Sequence, residues 1–538
     1  MKRITLLISI LLTAATLMSA GSGKLAKDLP SGMAGGLVDV IVQFKETPTA
    51  KHHKKISDKG GALKQDHSFI RGGLYSVPAN ALAELANDPD VAYISPNRAV
   101  NGALDIATQA INAKVAQASS FLGTGIGVAV IDSGVDAPDV AANLVYSQNF
   151  VAGQTDALDY YGHGSHVAGI IAGSGALYSG KYKGVAPGAK IINLRVLDNQ
   201  NRGTDSAVIA AILRAIQLKS TYNIRVINLS LGRPVQGSYK TDPLCLAAEA
   251  AWKAGIVVVV AAGNDGRNNS MGTSGYGTIS APGNDPYVIT VGAMKTMGTP
   301  SRADDRIASY SSKGPTLLDH VIKPDLIAPG NRIVSDKLNM NSLMESQFPT
   351  NEVHNDYFIL SGTSMAAPMV SGTVALMLQK TPSLTPDLVK ARLMKTATKA
   401  FPVLSTATDP ATGTTYTSYY DIFTVGAGYL DAWAALNNVN ITTATGGALS
   451  PTAVYDTVSH KVKINFGSSL VWGDSLVWGT SLVWGDSLVW GDSLVWGDSL
   501  VWGDNTQQGF SLVWGDSLVW GTGQTTGEAT GIAISGEN

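Results

Sequence analysis

Three short glycine-rich stretches of this chain each carry a residue type that can take part in catalysis. They read Asp-Ser-Gly at 132–134, Gly-His-Gly at 162–164 and Ser-Gly-Thr-Ser-Met-Ala-Ala-Pro at 361–368. A serine hydroxyl is a poor nucleophile at neutral pH, and a neutral imidazole must take its proton as it attacks a carbonyl carbon. The imidazole needs a carboxylate that fixes its tautomer and stabilises the imidazolium. The order acid, imidazole, hydroxyl therefore predicts that Asp132, His163 and Ser364 act together.

Two apolar runs predict the strands that position this chemistry. Residues 127–131 are almost continuously apolar, which is typical of a parallel strand covered on both faces. Asp132 would then lie at a carboxyl strand end, where open α/β sheets gather catalytic groups. A second run, 256–262, leads through a glycine turn to Asn264. Its side-chain amide could donate to an oxyanion together with the backbone N–H of Ser364.

Small-residue runs after the histidine and the serine predict two helices. Residues 167–172 indicate one and residues 365–378 the other. Pro368 is expected in the first turn of the second helix, since proline is disruptive further along. Ser364 would then lie at a helix N-terminus, where free N–H groups and the helix dipole favour developing negative charge.

These motifs together resemble the subtilisin-like serine proteases, the subtilase family, over about residues 37–435. The resemblance implies a three-layer α/β domain with a mainly parallel sheet. It also implies that Asp132 orients the imidazole and that His163 is the general base and then the acid. Ser364 would be the nucleophile, and Asn264 would supply the oxyanion hole.

Other titratable residues near the motifs have structural interpretations. His166 lies three residues beyond His163 and is expected to be a packed or hydrogen-bonded scaffold residue. Asp136 and Asp205 are expected to be loop or capping acids. Cys245, the one cysteine of the chain, excludes a disulfide within the chain and is interpreted as a small buried hydrophobe.

The resemblance also predicts where substrate binds. Residues 226–232 match the family strand whose end lines the primary specificity pocket, and residues 199–203 could flank the peptide on its other side. An extended substrate would add between them as a β-strand. The alternative is that residues 230–232 only turn the chain. The predicted substrate-binding residues are Ser230, Leu231, Gly232, Ala261, Ala262 and Gly263. No acidic cluster dedicates the pocket to basic side chains, so an apolar or broad preference is the default.

Composition bears on partners and cofactors. A net charge of −2 offers no electrostatic case for nucleic acid or an anionic membrane. The proposed chemistry requires no cofactor. The loop at 174–187, where many subtilases bind calcium, has two lysines and no Asp or Asn, so no metal ligand is assigned there. A structural calcium ion elsewhere is left open.

The N-terminal region predicts secretion as an inhibited precursor. Lys2 and Arg3 precede an apolar run that ends in small residues, the order of a secretory signal peptide, and no later run is long enough to span a bilayer. The next segment resembles the subtilase propeptide, an α+β module, with strands at 37–44, 73–77 and 91–94 and a helix at 79–85. The predicted boundaries are 1–20 for the signal peptide, 21–100 for the inhibitory propeptide, 101–440 for the catalytic domain, 441–468 for a linker with one strand pair, and 469–538 for a tail.

The tail repeats the hexad Ser-Leu-Val-Trp-Gly-Asp from residue 469 onward. Exposed tryptophans could bind a cell surface, a polysaccharide or another copy of the chain, and a low-complexity appendage without a ligand is an equal alternative.

The sequence as a whole is consistent with two functions. The favoured one is a secreted, self-processing serine endopeptidase that acts on polypeptides. The other is a surface adhesion or assembly protein in which proteolysis serves only self-processing.

Overall fold

The structure, a computed structural model, describes residues 24–26, 29, 36–96, 103–270, 272–338, 342–409, 412–439, 447–456, 461–465, 525–527 and 536–537. The chain divides into two units, residues 1–100 and 101–538. The predicted signal peptide and the hexad repeats lie outside the described residues.

The first unit is a four-stranded antiparallel sheet with two short helices. Its elements are β1 (Leu37–Phe44), α1 (Ala50–Ser57), β2 (Ala62–His67), β3 (Gly72–Pro78), α2 (Leu82–Asn87) and β4 (Val91–Pro96), with sheet order β2-β3-β1-β4. Strand β1 alternates along its length, and its inward residues Val40 and Val42 pack with Tyr75 and Ile94. All three strands expected here are present. The expected helix begins later, because residues 79–81 form a 3₁₀ turn.

The second unit carries the motif residues. Its elements up to the end of β12 are α3 (Ala103–Ala110), α4 (Ala113–Ala118), β5 (Gly127–Asp132), β6 (Leu144–Asn149), α5 (His163–Ala172), β7 (Lys190–Arg195), β8 (Arg202–Gly203), α6 (Asp205–Tyr222), β9 (Ile224–Leu229), β10 (Leu231–Gly232), α7 (Pro243–Lys253), β11 (Val257–Ala261) and β12 (Ile289–Lys295). The remaining elements are β13 (Arg306–Ile307), β14 (Leu326–Pro329), β15 (Ile333–Asp336), α8 (Leu343–Gln347), β16 (Glu352–Val353), β17 (Tyr357–Leu360), α9 (Thr363–Lys380), α10 (Pro386–Thr396), β18 (Leu404–Thr408), β19 (Thr415–Tyr419), α11 (Ile422–Val425), α12 (Ala432–Asn437), β20 (Thr452–Asp456), β21 (Lys461–Asn465) and β22 (Thr525–Gly527).

A mainly parallel sheet forms the centre of this unit. Its strand order is β13-β12-β11-β9-β5-β7-β6, and β14 also pairs with β12. Within it, only the β12–β13 pairing of the described residues is antiparallel. Every residue of β5 and β11 is buried, so both sheet faces are covered, as their continuous apolar sequences predict. This confirms the expected α/β domain.

Helices in two packed pairs lie against this sheet. Helix α5 packs against α9, and α6 packs against α7. Because β5, β9 and β11 are parallel, their carboxyl ends lie at one edge of the sheet, where Asp132 ends β5 and Ser230 and Asn264 follow β9 and β11. No helix in the described ranges combines the length and the apolar content that a membrane crossing requires.

The segment assigned to a linker is partly integrated into this unit. Strands β20 and β21 form the one strand pair expected there. Ala448 and Ala453 are buried in the core of the unit. Residues 441–446, 457–460 and 466–468 lie outside the described residues.

Candidate active site

Asp132 and His163 are joined by a buried hydrogen bond. Asp132 is the last residue of β5 and His163 the first of α5, and His163 Nδ1 lies 2.7 Å from Asp132 Oδ1. The same carboxylate oxygen accepts the backbone N–H of Ser133 at 2.7 Å. Burial lowers the pKa of His163, but the charge and hydrogen bond of Asp132 outweigh it, so the pKa lies above its usual value. The pair therefore stabilises an imidazolium.

The Gly-His-Gly turn lets the helix approach the strand this closely. A Cβ at Gly164 would lie 2.2 Å from the carbonyl oxygen of Gly134 and 3.1 Å from Asp132 Cβ. Only glycine leaves room for the turn after β5 against the first turn of α5. The missing side chain at 164 is thus part of what places the imidazole on Asp132.

Asp159, which the sequence motifs did not reveal, ties the two turns together. Its carboxylate accepts the Ser133 hydroxyl at 3.0 Å, the Gly162 N–H at 2.8 Å and the Ser165 N–H at 2.8 Å. It satisfies N–H groups that the start of a helix leaves unpaired. An acidic residue four positions before His163 is the sequence signal that could have identified it.

Ser364 is the second residue of α9 and is buried next to β9. Its hydroxyl donates to the carbonyl of Ser230 at 3.2 Å. A serine hydroxyl has one proton to donate, so this bond must break before the proton can pass to an imidazole. His163 Nε2 is buried and has no hydrogen-bond partner among the described residues. The proton relay from Ser364 to His163 therefore stays a prediction.

Pro368 is not in the first turn of its helix, contrary to expectation. Helix α9 begins at Thr363, which makes Pro368 its sixth residue. Proline has no N–H, so the Ser364 carbonyl lacks the helical donor four residues later. The Ser230 hydroxyl supplies one instead, at 2.8 Å. A tertiary hydrogen bond thus compensates the proline.

Asn228, also missed by the sequence motifs, orients Ser230. Its amide N–H donates to Ser230 Oγ at 2.9 Å, and its amide oxygen accepts the Ser371 hydroxyl at 2.8 Å. All three side chains are buried. A polar residue near the end of the apolar strand β9 was the available signal.

Asn264 is held against the start of α9. Its Oδ1 accepts the backbone N–H of Thr363 at 3.0 Å and lies 3.2 Å from the Thr363 hydroxyl. These contacts identify the oxygen end of the amide, so Nδ2 is the end that can donate to a reacting carbonyl. Ser364 N–H belongs to the first turn, whose N–H groups have no helical acceptors. Both predicted donors of the oxyanion hole thus border the same turn.

The predicted substrate-binding residues lie at the carboxyl ends of β9 and β11. Leu231 and Gly232 form β10, Ala261 ends β11, and Ala262 and Gly263 follow it. All are buried together with Ser230. Strands β8 and β10 do not pair directly, because β22 lies between them. Contact of these residues with substrate stays a prediction.

The competing residues have structural partners. His166 Nε2 lies 3.1 Å from the Ile333 carbonyl and 3.0 Å from the Phe358 carbonyl, as expected of a scaffold residue. Burial lowers its pKa to about 3. Cys245 is fully buried, and burial raises the pKa of its thiol, which disfavours the reactive thiolate. Asp205 pairs with Arg233 at 2.8 Å.

No metal centre is evident in the part of the chain that the structure describes. Within those ranges, no three His, Cys, Asp or Glu side chains are grouped closely enough to bind an ion.

Known proteins match the segment that carries this site. Residues 123–416 match the subtilase family. The serine protease AprX of Bacillus subtilis is 39% identical over 350 residues, which cover 63% of this chain and 77% of the relative. Subtilisin E of Bacillus subtilis is 33% identical over 366 residues, covering 66% and 84%. A thermophilic serine proteinase of a Bacillus species is 32% identical over 359 residues, covering 63% and 77%.

Proposed function

We propose that this chain, which belongs to the subtilase family and is a subtilisin-like serine endopeptidase, cleaves peptide bonds with Asp132, His163 and Ser364. The observation that carries the triad is the buried 2.7 Å contact between His163 Nδ1 and Asp132 Oδ1. It fixes the proton on Nδ1 and leaves Nε2 as the atom that can accept another.

The reaction would proceed by acyl transfer. Ser364 Oγ attacks the scissile carbonyl carbon as its proton passes to His163 Nε2, and Asp132 stabilises the imidazolium. The carbonyl oxygen becomes an oxyanion that accepts from Asn264 Nδ2 and the Ser364 N–H. The imidazolium then protonates the leaving amine, and the C–N bond breaks. Water then attacks the acyl-enzyme as its proton passes to His163 Nε2. His163 returns a proton to Ser364 Oγ as the ester bond breaks, and the product with the new carboxyl end is released.

Substrate would bind as an extended strand between β8 and β10. Both are two-residue strands whose backbone groups can pair with a third chain. Ser230, which precedes β10, accepts the hydroxyl of Ser364, so a peptide on β10 passes the nucleophile. This supports the assignment of Leu231 and Gly232 to substrate binding.

The endopeptidase would be secreted as a precursor. The N-terminal charged, apolar and small-residue order supports a signal peptide. The α+β architecture of the first unit supports its assignment as the propeptide that assists folding and inhibits the enzyme. Removal would be autocatalytic.

Covalent labelling tests the nucleophile directly. A serine-directed fluorophosphonate should label Ser364 of the mature enzyme and stop its hydrolysis of an unrelated denatured protein. Ser364→Ala should abolish both labelling and hydrolysis. The matched control is Ser346→Ala, on the exposed face of α8. Labelling at another residue, or hydrolysis that survives Ser364→Ala, would refute the assignment.

The same variant tests self-processing. Purified Ser364→Ala precursor should remain uncut when no other protease is present, whereas Ser346→Ala should mature. Maturation of the Ser364→Ala protein under these conditions would contradict an autocatalytic cut.

A further inference from the structure

Residues near the C-terminus of the chain contact the rest of the second unit at two separate places. The first is strand β22, which is antiparallel to β10 on one side and to β8 on the other. Thr526 is opposite Gly232 in one pairing and Arg202 in the other. A segment distant in sequence is therefore the middle strand of a three-stranded sheet.

This strand occupies the position that the proposed function gives to a substrate. Gly527 is opposite Leu231, and Leu231 directly follows Ser230. The Ser230 carbonyl accepts the Ser364 hydroxyl. The backbone of β22 thus ends one residue pair away from the residue bonded to the proposed nucleophile.

The second place is a pocket for the carboxylate of Glu537, formed by Arg267, Lys295, Ser309 and Asn331. Arg267 Nη2 lies 2.5 Å from one carboxylate oxygen. Lys295 Nζ lies 3.2 Å from the other, which also accepts the Ser309 N–H at 2.7 Å. The Ser309 hydroxyl donates to the first oxygen. Both oxygens therefore have a cation and a neutral donor.

Backbone contacts complete this pocket. The Asn331 amide donates to the Glu537 carbonyl at 2.8 Å and accepts the Glu537 N–H at 3.0 Å. These two hydrogen bonds resemble the backbone pairing of neighbouring strands, so the pocket binds the backbone of Glu537 as well as its side chain. Burial raises the pKa of Glu537, but Lys295, Ser309 and Arg267 outweigh it and lower the pKa below its usual value.

The pocket also excludes a side chain next to the glutamate. Gly536 has a φ of +76°, and a Cβ there would lie 2.6 Å from both Arg332 Cγ and Ser361 Oγ. Ser361 is three residues before Ser364. The two binding places therefore contact the two segments, 230–232 and 361–364, that meet at the nucleophile.

A buried carboxylate with a complete set of partners distinguishes this contact from incidental docking of a chain end. Glu537 is 6% exposed, and the side chains of its two cationic partners, Lys295 and Arg267, are 5% and 10% exposed. Burying a charge is costly unless it is paired and hydrogen-bonded, so this site is built for one carboxylate at one position.

We propose that the C-terminal segment of this chain is an intramolecular ligand that blocks the substrate channel, which is the space between β8 and β10. Residues 525–527 bind there as a substrate-like strand, and Glu537 binds in its carboxylate pocket. The proposal rests on the proposed function, because it requires β8 and β10 to be the substrate strands. Substrate and the segment then compete for the same backbone groups. The enzyme alternates between a self-blocked and an open state.

Steady-state kinetics of the mature enzyme with its C-terminal segment intact, measured on a short chromogenic peptide, test this competition. A channel that the segment blocks in about nine molecules of ten raises the KM about tenfold and leaves kcat unchanged. Deletion of residues 525–538 should therefore lower the KM about tenfold at constant kcat. If Glu537→Gln weakens binding of the segment about tenfold, the KM falls about fivefold.

The charge-matched control is Glu352→Gln, a partly exposed residue that pairs with Lys337 at 2.6 Å on the same unit. It should leave the KM unchanged. Circular dichroism establishes that each variant is folded. The full-length Glu537→Gln protein keeps the test available if the deletion does not fold.

A synthetic peptide of residues 523–538, added to the deletion variant, should inhibit competitively, and the same peptide with Glu537→Gln should inhibit more weakly. An unchanged KM in both the deletion and the Glu537→Gln enzyme, or no inhibition by the peptide, would overturn the proposal. If the full-length enzyme and every variant fail to hydrolyse peptide or to react with the fluorophosphonate, the proposed function itself is wrong. Normal hydrolysis with the same KM in the presence and absence of the segment refutes only the self-blocked state.

Discussion

Ser230→Ala is expected to destabilise the protein through the helix that carries the nucleophile. The Ser230 hydroxyl donates to the Ser364 carbonyl at 2.8 Å and accepts the Asn228 amide at 2.9 Å. The Ser364 carbonyl needs this donor because Pro368, four residues later, has no N–H. Removing the hydroxyl therefore takes one partner from each of two buried polar groups.

The magnitude follows from these two groups. A buried donor or acceptor left without a partner costs about 1–3 kcal/mol, so the loss of two partners should lower the free energy of unfolding by about 2–6 kcal/mol. In a Pro368→Ala background the new N–H can donate to the Ser364 carbonyl. Ser230→Ala should then cost about 1–2 kcal/mol less.

A double-mutant cycle in urea, followed by circular dichroism, measures this coupling. All four proteins carry Ser364→Ala, so that unfolded molecules are not digested. The Ser364→Ala change keeps the carbonyl under test. If Ser230→Ala costs the same in both backgrounds to within about 0.5 kcal/mol, Pro368 is not the reason for the Ser230 bond.

Three further predictions concern catalysis. Asn264→Ala should lower kcat about 100- to 1,000-fold, a magnitude carried over from the loss of an oxyanion donor in a subtilisin; a change in KM alone would contradict it. The pair with Asp132 raises the pKa of His163 above its usual 6.5 despite burial, and the general base must be neutral to accept a proton. In a pH profile, kcat/KM should therefore fall as the pH drops through this raised pKa. Asp132→Asn should slow the reaction and move that midpoint to lower pH, and an unmoved midpoint would assign it to another group. Gly164→Ala should lower kcat about 100-fold, because the new Cβ would lie 2.2 Å from the Gly134 carbonyl, whereas Gly237→Ala, where nothing lies within 4 Å, should not.

Local patterns predicted the elements whose burial is periodic or continuous. The alternating strand Leu37–Phe44 has the bounds that its sequence indicates, and Asp132 ends a fully buried strand as expected. These succeed because pairing and burial on a sheet act on every residue of the run in the same way. The positions of the motif residues at one sheet edge then follow from parallel pairing alone.

Residues that act through tertiary hydrogen bonds could not be predicted in this way. A local rule places Pro368 in the first turn, yet it lies in the helix interior because Ser230, from another strand, supplies the absent donor. Asp159 and Asn228 lie in no recognised motif, and their roles appear only when the elements around them meet. Sequence spacing therefore reveals the groups that react more easily than it reveals the groups that position them.

The C-terminal contact has a physical origin in the same sheet edge. Strands β8 and β10 are separated by the width of one strand, which β22 fills, and strand edges of this kind pair with any extended chain that reaches them. A segment of the same polypeptide is present at an effective concentration that can reach the order of millimolar. It can therefore fill the channel with low intrinsic affinity, which a cognate substrate can overcome. Glu537 adds the specificity that generic strand pairing lacks, because a carboxylate at that position pairs with both Arg267 and Lys295.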